Sequence, residues 1–252
     1  MPAVLHADTT GAGPRLVLVH GFTQDRRCWG PVAGALAEDH EVVLVDAPGH
    51  GRSAGVPAGL EDGARLLGEA GGRAAYLGYS MGGRLCLTLA LARPELVTAL
   101  VLVGATAGIE DPGERAARRA ADEALADRLE RIGVEAFVDE WLAGPLFAGL
   151  PAWARFEAER REGSAAGLAA SLRLAGTGTQ PPSWHRLGEL AMPVLVVAGE
   201  RDIRFSAAGR RLAAAVGPNA AFAAVPGAGH AAHLEAPDRF LAVVRPWLAA
   251  LG

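Results

Sequence analysis

Six short runs of β-forming apolar residues alternate with stretches of helical character along the chain. The runs lie at residues 16–19, 42–45, 74–77, 100–103, 194–197 and 221–225. Because they are unbroken rather than alternating with polar residues, both faces of each strand should be covered by helices. The sequence therefore predicts an α/β fold with a mostly parallel central sheet flanked by helices. In such sheets, ligands bind beyond the carboxyl ends of the strands.

One segment of the chain interrupts this alternation. Residues 111–176 contain no β-type run, and Asp111, Pro112 and Glu114 together have the pattern of a helix start. We therefore expect an all-helical cap inserted between two strands. The predicted domains are a core formed by residues 1–110 and 177–252 and a cap formed by residues 111–176.

The composition excludes several classes of protein. Half of the 252 residues are apolar and 21% are charged, which excludes a disordered chain or a coiled coil. All 24 basic residues are arginine and the net charge is −4, so a nucleic-acid partner is not expected. Residues 1–8 lack the pattern of a signal peptide, no run is long enough for a membrane span, and Cys28 and Cys86 are expected as free thiols. These features predict a cytoplasmic protein.

The segment around Ser80 has the pattern of a nucleophile elbow. Gly78, Ser80 and Gly82 follow a β-type run and precede a helical stretch, which is the strand–turn–helix context of this motif. Glycines two residues before and after the serine allow a tight turn without steric clashes. Ser80 is therefore the candidate nucleophile or base, with its oxygen at the positive end of a helix.

A catalytic serine needs a histidine, and the histidine needs an orienting carboxylate. Asp202 follows the fifth run and His230 follows the last one, so the order Ser, Asp, His fits the elbow motif. Glu200 and His233 are the alternative acid and base. We favour Asp202, which lies farther along its loop, and His230, which follows a flexible Gly-Ala-Gly segment.

A second turn motif, His20-Gly21-Phe22, follows the first run. The backbone N–H groups of Phe22 and Met81 are the candidate oxyanion hole, because both would point at a developing negative charge near Ser80. Alternatively, His20 and Gly21 only shape the turn. The tight loop at residues 46–53 is interpreted as scaffold.

Taken together, these motifs resemble the α/β-hydrolase fold. The sequence of residues 78–84, the cap through Arg118 and Trp141, the turn at 145–147 and the segment 177–181 are similar to the menaquinone-pathway MenH family. The resemblance extends from about Val17 to Phe240. Members of that family are 2-succinyl-6-hydroxy-2,4-cyclohexadiene-1-carboxylate synthases.

The resemblance implies a carbon–oxygen lyase rather than a hydrolase. Pyruvate would be eliminated from a small-molecule tricarboxylate, 2-succinyl-5-enolpyruvyl-6-hydroxy-3-cyclohexene-1-carboxylate. Ser80 would act as a base through His230 and Asp202 without an acyl-enzyme, and the Phe22 and Met81 N–H groups would hold the enolate-like oxygen. The aromatic pair Tyr79 and Trp141 matches substrate-contacting positions. No cofactor or metal is implied, and a monomer is expected.

A tricarboxylate needs cations, and three arginines are candidates for its binding. Arg84 lies four residues after Ser80, and Arg118 shares a helical face with apolar residues of the cap. Arg160 follows Trp153 by seven residues and Phe156 by four, so it is expected on an aromatic helix face. The alternative for each is a structural pair with a buried carboxylate or a helix end. Three neighbouring arginines are expected in solvent or surface pairs: Arg115, Arg119 and Arg161.

Two other functions remain open at this stage. A carboxylesterase or carbon–carbon-bond hydrolase of the same fold would use the identical triad to form an acyl-enzyme. A non-catalytic binding module of this fold is a further alternative, although an intact Ser80, Asp202 and His230 argues against it. The arginines discriminate the lyase from an esterase, because an enzyme acting on neutral esters gains nothing from three inward cations.

Overall fold

The computed structural model describes residues 3–251, so Met1 and Pro2 of the N-terminal segment and Gly252 lie outside it. A seven-stranded sheet forms the centre, in the order β1-β3-β2-β4-β5-β6-β7. All neighbouring strands are parallel except β1 and β3. The strands are β1 (Ala7–Thr10), β2 (Arg15–Val19), β3 (Glu41–Val45), β4 (Ala74–Tyr79), β5 (Val97–Val103), β6 (Val194–Gly199) and β7 (Ala220–Val225).

The six predicted apolar runs correspond to β2 to β7, which confirms the parallel sheet. Strand β1 was not predicted. It lies at the sheet edge and pairs antiparallel to β3, with Ala7 opposite Val45. Its sequence, Ala-Asp-Thr-Thr, is largely exposed and lacks an apolar run. Only the pairing with β3 makes this segment a strand, and such long-range pairing leaves no local pattern.

Helices cover both faces of the sheet, as the unbroken runs predicted. Along β2, Val17 packs with the helices on one face and Leu16 with those on the other. No helix within residues 3–251 is long and apolar enough to span a membrane. The helices are α1 (Pro31–Leu36), α2 (Leu60–Gly71), α3 (Met81–Ala92), α4 (Pro112–Leu142), α5 (Glu157–Arg161), α6 (Ala165–Ala175), α7 (Ile203–Val216), α8 (Ala232–Glu235) and α9 (Pro237–Ala249).

The chain between β5 and β6 forms only helices and turns, and it includes α4, α5 and α6. Helix α4 begins as predicted: Pro112 is its first residue, and the Asp111 side chain accepts a hydrogen bond from the Glu114 N–H at 2.7 Å. The Arg173 guanidinium on α6 donates to three carboxylates of α4, those of Glu123, Asp127 and Glu130. These contacts join α4 and α6. The domain boundaries at residues 111 and 176 stay a prediction.

Helix α4 is bent at Gly133. This residue has φ 78° and ψ 168°, which is not helical. The combination is accessible almost only to glycine, because a Cβ would clash with the backbone. The 31-residue element is therefore two helices that meet at an angle.

Both cysteines are buried and unpaired, in agreement with the sequence-based expectation of free thiols. Burial raises the pKa of the Cys28 thiol to about 12 and raises that of Cys86 further. The reactive thiolate is therefore scarce at neutral pH, and neither residue is a candidate nucleophile.

Helix α3 lies unusually close to the strand ends. A Cβ on Gly82 would come within 2.1 Å of the Val19 carbonyl oxygen, and a Cβ on Gly78 within 2.4 Å of the Gly82 carbonyl oxygen. Both obstacles are backbone atoms, which cannot rotate away. The two glycines therefore allow β2, β4 and α3 to meet at one point.

We expect Gly82→Ala to lower the free energy of unfolding by about 1–3 kcal/mol, because the added methyl forces α3 away from β2. Denaturant unfolding monitored by circular dichroism would measure this change. Gly34→Ala is the matched control: Gly34 lies in α1 and has open space around the added Cβ, so this change should be neutral or slightly stabilising. Equal stability of the two variants would contradict the close-approach argument.

Candidate active site

Ser80 lies on a strained turn between β4 and α3. Its φ of 52° is in the region that favours glycine, and among the non-glycine residues of 3–251 only Thr23 and Phe156 share this property. The turn is fixed on both sides: the Ser80 N–H donates to the Val103 carbonyl at 2.8 Å, and the Ser80 carbonyl accepts from the Arg84 N–H at 3.1 Å. This geometry matches a nucleophile elbow and presents the Ser80 hydroxyl at the N-terminus of α3.

The loops after β6 and β7 bring Asp202 and His230 to Ser80. His230 Nε2 lies 3.2 Å from Ser80 Oγ, and His230 Nδ1 lies 2.7 Å from Asp202 Oδ2. An ionised carboxylate can only accept a hydrogen bond, so Nδ1 carries the proton and Nε2 is free to accept one from Ser80. The three residues have the relative geometry of a Ser-His-Asp triad.

The surroundings of the triad keep Asp202 ionised. Burial alone would raise the pKa of the Asp202 carboxyl, but hydrogen bonds from His230 and from the Phe205 N–H outweigh it and hold the pKa below its ordinary value. The Phe205 ring packs against the His230 ring with centroids 4.5 Å apart. Asp202 can therefore orient His230 and stabilise its protonated form.

The alternative base and acid have structural roles. His233 is buried against Trp29 and Tyr79, with ring centroids 4.7 and 4.5 Å away. Burial and the neighbouring His230 lower the pKa of His233 to about 3, so it stays neutral. Glu200 accepts a hydrogen bond from the Gly227 N–H at 2.8 Å and supports the loop after β7.

His20 holds the turn that carries Phe22. Its Nε2 accepts a hydrogen bond from the Ala47 N–H at 3.0 Å, so its Nδ1 is protonated and donates to the Gly21 carbonyl at 2.8 Å. Within residues 3–251, neither the Phe22 N–H nor the Met81 N–H has a hydrogen-bond partner. Both turns lie at the same end of the sheet as Ser80, which is the arrangement that an oxyanion hole requires.

The loop at residues 46–53 has the contacts of a scaffold. Asp46 is fully buried, and its carboxylate accepts from the backbone N–H groups of Arg26 and Arg52, both at 2.8 Å. His50 donates to the Pro48 carbonyl at 2.9 Å and packs edge-on against Phe22. The loop supports the turn at Phe22 from behind.

A cavity of about 550 Å³ opens between the strand ends and the inserted helices. Its floor includes Ser80, Met81 and His230, and its walls combine apolar and charged side chains. Its arginines are Arg84, Arg118, Arg204 and Arg211. The volume is sufficient for a substituted six-membered ring with carboxylate arms.

Arg84 is buried in the wall of this cavity, and no carboxylate of residues 3–251 forms a direct ion pair with it. Its guanidinium donates to the Ala175 carbonyl at 2.8 Å and to Gln180 Oε1 at 3.3 Å, which are neutral acceptors. Burial and the nearby Arg118 lower the pKa of Arg84 to about 10, so the group is still charged at neutral pH. A substrate carboxylate would supply the missing negative charge.

Arg118 lines the same cavity, half-exposed, from the first half of α4. Its Nε donates to Asp122 Oδ1 at 2.7 Å, one helical turn away. Asp122 is itself buried and also accepts from the Gly178 N–H. The structural pair that we considered as an alternative is therefore present. It orients the guanidinium along α4 and engages only its Nε, while the other nitrogens are free of hydrogen bonds within the described residues.

Arg160 is buried, but its predicted helical face is wrong. Helix α5 begins only at Glu157, Phe156 has a left-handed φ of 49°, and Trp153 belongs to a separate turn. Arg160 lines a narrow cleft of about 20 Å³ rather than the larger cavity, with which the cleft shares Ser80 and His230. The left-handed backbone of Phe156 separates the turn that carries Trp153 from α5, which breaks the helical spacing on which the prediction relied.

The neighbouring arginines differ in their surroundings. Arg161 is exposed and pairs with Asp139 and Glu157, and Arg119 is exposed, both as expected. Arg115 was expected to face water, but it is half-buried and donates to the carbonyls of residues 109 and 110. It supports the rim of the cavity.

The two predicted aromatic residues lie beside the triad. Tyr79 is buried, packs against His230 with centroids 5.4 Å apart and lines the cleft. Trp141 lines both the cleft and the cavity and packs edge-on against Phe22, with the ring centroids 5.3 Å apart. The second half of α4 carries Trp141 to this position.

Sequence reasoning missed part of the cavity wall. Arg204 and Phe205, at the start of α7, line the cavity, and Arg211 on the same helix pairs with Glu110 at 2.6 Å across its rim. Arg204 and Phe205 follow the candidate acid Asp202 by two and three residues, and this proximity could have indicated that they line the site. Gln24 was also missed. Its signal was a polar side chain two residues after Phe22, whose N–H is a candidate oxyanion donor.

Comparison with known proteins identifies the family of the chain. The chain matches the alpha/beta hydrolase family over residues 16–243. A Bacillus subtilis protein provisionally named 2-succinyl-6-hydroxy-2,4-cyclohexadiene-1-carboxylate synthase is 34% identical, over 95% of this chain and 92% of that protein. A protein of Salmonella schwarzengrund that carries the same synthase name is 33% identical, over 92% of each chain.

Solved structures give the same result. MenH from S. aureus superimposes with a TM-score of 0.91 at 29% identity, over 98% of both chains. A thermophilic esterase from Thermogutta terrifontis, solved with malate bound, has a TM-score of 0.84 at 26% identity, over 98% of this chain and 93% of that one. The chain therefore belongs to the α/β-hydrolase family and, within it, to the family of the 2-succinyl-6-hydroxy-2,4-cyclohexadiene-1-carboxylate synthases.

Proposed function

We propose that this protein eliminates pyruvate from 2-succinyl-5-enolpyruvyl-6-hydroxy-3-cyclohexene-1-carboxylate to give 2-succinyl-6-hydroxy-2,4-cyclohexadiene-1-carboxylate in the menaquinone pathway. The observation that carries the proposal is the combination of Ser80 and His230 with Arg84 and Arg118 around one cavity. A base and two cations fit the deprotonation of a polyanionic substrate. The synthase names of the curated relatives agree with it.

In the proposed reaction, Ser80 acts as the base. As Ser80 Oγ takes the proton from the ring carbon beside the succinyl ketone, its own proton moves to His230 Nε2, 3.2 Å away. Asp202 stabilises the imidazolium that forms. The electron pair of the broken C–H bond shifts through the ring, and the bond between the ring carbon and the enolpyruvyl ether oxygen breaks. The leaving group departs as the enolate of pyruvate, and the proton held by His230 can return to it, which gives pyruvate and restores the neutral imidazole.

Negative charge develops on the succinyl ketone oxygen during this step. The N–H groups of Phe22 and Met81 are the donors that we assign to it, because neither has another partner in the described part of the chain. Arg84, Arg118 and Arg160 bind the carboxylates, and Tyr79 and Trp141 contact the substrate beside them. Forked guanidinium groups suit this task because they can bind carboxylates with two parallel hydrogen bonds.

An esterase or carbon–carbon-bond hydrolase is the second candidate, since the Thermogutta esterase has a closely similar fold. The triad could equally form an acyl-enzyme with an ester. Arg84 favours the lyase. It is a buried cation whose hydrogen-bond partners within the described residues are neutral, and such a cation is costly in a pocket for neutral esters.

We also propose a cytoplasmic monomer. Two buried, unpaired thiols fit a reducing compartment. Size-exclusion chromatography with light scattering would test the oligomeric state.

We expect Ser80→Ala and His230→Ala each to reduce kcat/KM for pyruvate release by about a thousandfold or more, because each removes the base. The measurement is a coupled pyruvate assay with freshly prepared tricarboxylate. His185→Ala, at an exposed histidine outside the cavity, serves as the control and should retain parental activity. Activity of Ser80→Ala within tenfold of the parent would remove Ser80 from the mechanism.

If Ser80 acts only as a base, no covalent intermediate forms during turnover of the tricarboxylate. Intact-protein mass spectrometry of acid-quenched reactions should then show only the unmodified chain, and rapid mixing should show no burst of pyruvate. An ester substrate that acylates Ser80 is the positive control for trapping. Detection of acylated Ser80 with the tricarboxylate would favour the hydrolase.

Replacement of Arg84, Arg118 or Arg160 by alanine should each lower kcat/KM for the tricarboxylate by roughly 10- to 150-fold. This range follows from about 1.5–3 kcal/mol for a hydrogen bond to a charged group, at about 1.4 kcal/mol per factor of ten. Arg119→Ala and Arg161→Ala are the controls and should change it little. Hydrolysis of a small neutral ester should survive all five changes. Equal losses at the control positions would show that the cavity does not recognise charge in this way.

A further inference from the structure

Gln24 occupies the turn that follows Phe22 and is 3% exposed. Its side-chain Oε1 accepts a hydrogen bond from the Gly21 N–H at 2.9 Å, and its backbone N–H donates to the Gly21 carbonyl at 3.2 Å. Because a backbone N–H can only donate, the oxygen end of the amide must face Gly21. The other end, Nε2, is therefore fixed as the free end of the side chain.

Gln24 Nε2 is buried and has no hydrogen-bond partner within residues 3–251. Trp141 Nε1 is a second buried donor in the same condition. Both side chains line the narrow cleft beside Ser80 and His230. Buried donors are rarely left unpaired in folded proteins. Two of them on one cleft indicate that an acceptor binds there.

The charge of the cleft favours an anionic acceptor. Arg160 lines the cleft. Within residues 3–251, the hydrogen-bond acceptors of its guanidinium are all neutral: the Arg155 carbonyl at 2.7 Å, the Thr23 hydroxyl and the Phe22 carbonyl at 3.5 Å. The nearby carboxylate of Asp25 is engaged by Arg27 instead. The Arg160 cation and the N–H groups of Gln24 and Trp141 thus face the cleft without an anionic acceptor from the described residues. A carboxylate suits this set of donors, because each of its oxygens can accept several hydrogen bonds.

The size of the cleft agrees with this chemistry. Its volume of about 20 Å³ admits a group the size of a carboxylate oxygen or a water, and is too small for a ring. Since the cleft shares Ser80, Trp141 and His230 with the larger cavity, one ligand can place its ring in the cavity and one carboxylate in the cleft.

We infer that Gln24 is a specificity-determining residue, whose amide Nε2 donates with Trp141 Nε1 to one substrate carboxylate beside Arg160. The identity of that substrate rests on the proposed function. Gln24 then has two tasks: its oxygen holds the turn that carries the Phe22 N–H, and its nitrogen binds the substrate. Recognition of the substrate and placement of the oxyanion hole are thereby joined in one side chain.

Succinate is the probe for a direct binding test, with succinamide as its neutral match. In ¹⁵N-labelled protein, the indole N–H resonance of Trp141, assigned with Trp141→Phe, and the Gln24 side-chain amide resonance should both shift on addition of succinate. Succinamide should leave them unchanged. Absence of both shifts at the highest soluble succinate concentration would overturn the inference and leave water as the occupant of the cleft.

Gln24→Glu separates the two tasks of this residue. The variant keeps an oxygen that accepts from the Gly21 N–H, but it replaces the donor with a second acceptor. We expect the dissociation constant for succinate, measured by calorimetry, to rise at least tenfold, and KM for the tricarboxylate to rise more than kcat falls. Succinate affinity within twofold of the parent would show that Gln24 only shapes the turn.

Succinate binding by a Trp141 variant and pyruvate release by the parent complete the test. Should Gln24→Glu fail to fold by circular dichroism, Trp141→Phe removes the second donor while keeping an aromatic ring, and it should also weaken succinate binding severalfold; unchanged affinity would overturn the inference. Succinate binding does not depend on turnover. Gln24-dependent binding without any pyruvate release would therefore contradict the proposed function alone, and pyruvate release without Gln24-dependent binding would contradict this inference alone.

Discussion

The site depends on one steric constraint, the contact of α3 with the ends of β2 and β4. Gly82 lies so close to the Val19 carbonyl that a single carbon more would collide with it, and Gly78 is equally confined by Gly82. This contact forces the chain to turn sharply, which gives Ser80 its positive φ and directs its hydroxyl outward. It also brings the Met81 N–H to the same side as the turn at Phe22, which His20 ties to Ala47. The Ser80 hydroxyl and the Phe22 and Met81 N–H groups, which we propose as base and oxyanion donors, are thus positioned by backbone packing together with the His20 side chain.

Electrostatics then distinguishes this site from a general hydrolase site. Most arginines on the surface pair with carboxylates, as Arg173 does with three acids of α4. Arg84 and Arg160 are different, because they are buried and, in the part of the chain that the structure describes, donate hydrogen bonds only to neutral oxygens. Burial without a counter-ion is unfavourable for a cation, and burial accordingly lowers the pKa of both groups. An anionic ligand would relieve this cost, which supports the proposal that the site selects its substrate by charge.

Local patterns were sufficient for much of the fold. The six apolar runs, the Asp111 cap and the elbow around Ser80 each depend on neighbours in sequence, and the structure contains them as predicted. Strand β1 was missed because it exists only through pairing with β3. Local patterns also pointed to the triad residues. The order of Ser80, Asp202 and His230 along the chain could be recognised from the sequence, and the structure brings the three side chains together. The surroundings of Arg160 were not readable, because irregular turns rather than one helix carry it inward.

The bend at Gly133 has a consequence for the dimensions of the pocket. Along a straight helix, Arg118 and Trp141 would be roughly 35 Å apart, at 1.5 Å per residue. Both nevertheless line the same cavity, because α4 changes direction at a backbone conformation that only glycine tolerates. Apart from the neighbouring backbone of α4 itself, no atom of residues 3–251 lies within 4 Å of where a Cβ at this position would be. Gly133 therefore sets a length in the cavity although its own side is open. The angle between the two halves of α4 fixes the distance from Arg118 to Trp141, and with it the length of a molecule that can contact both.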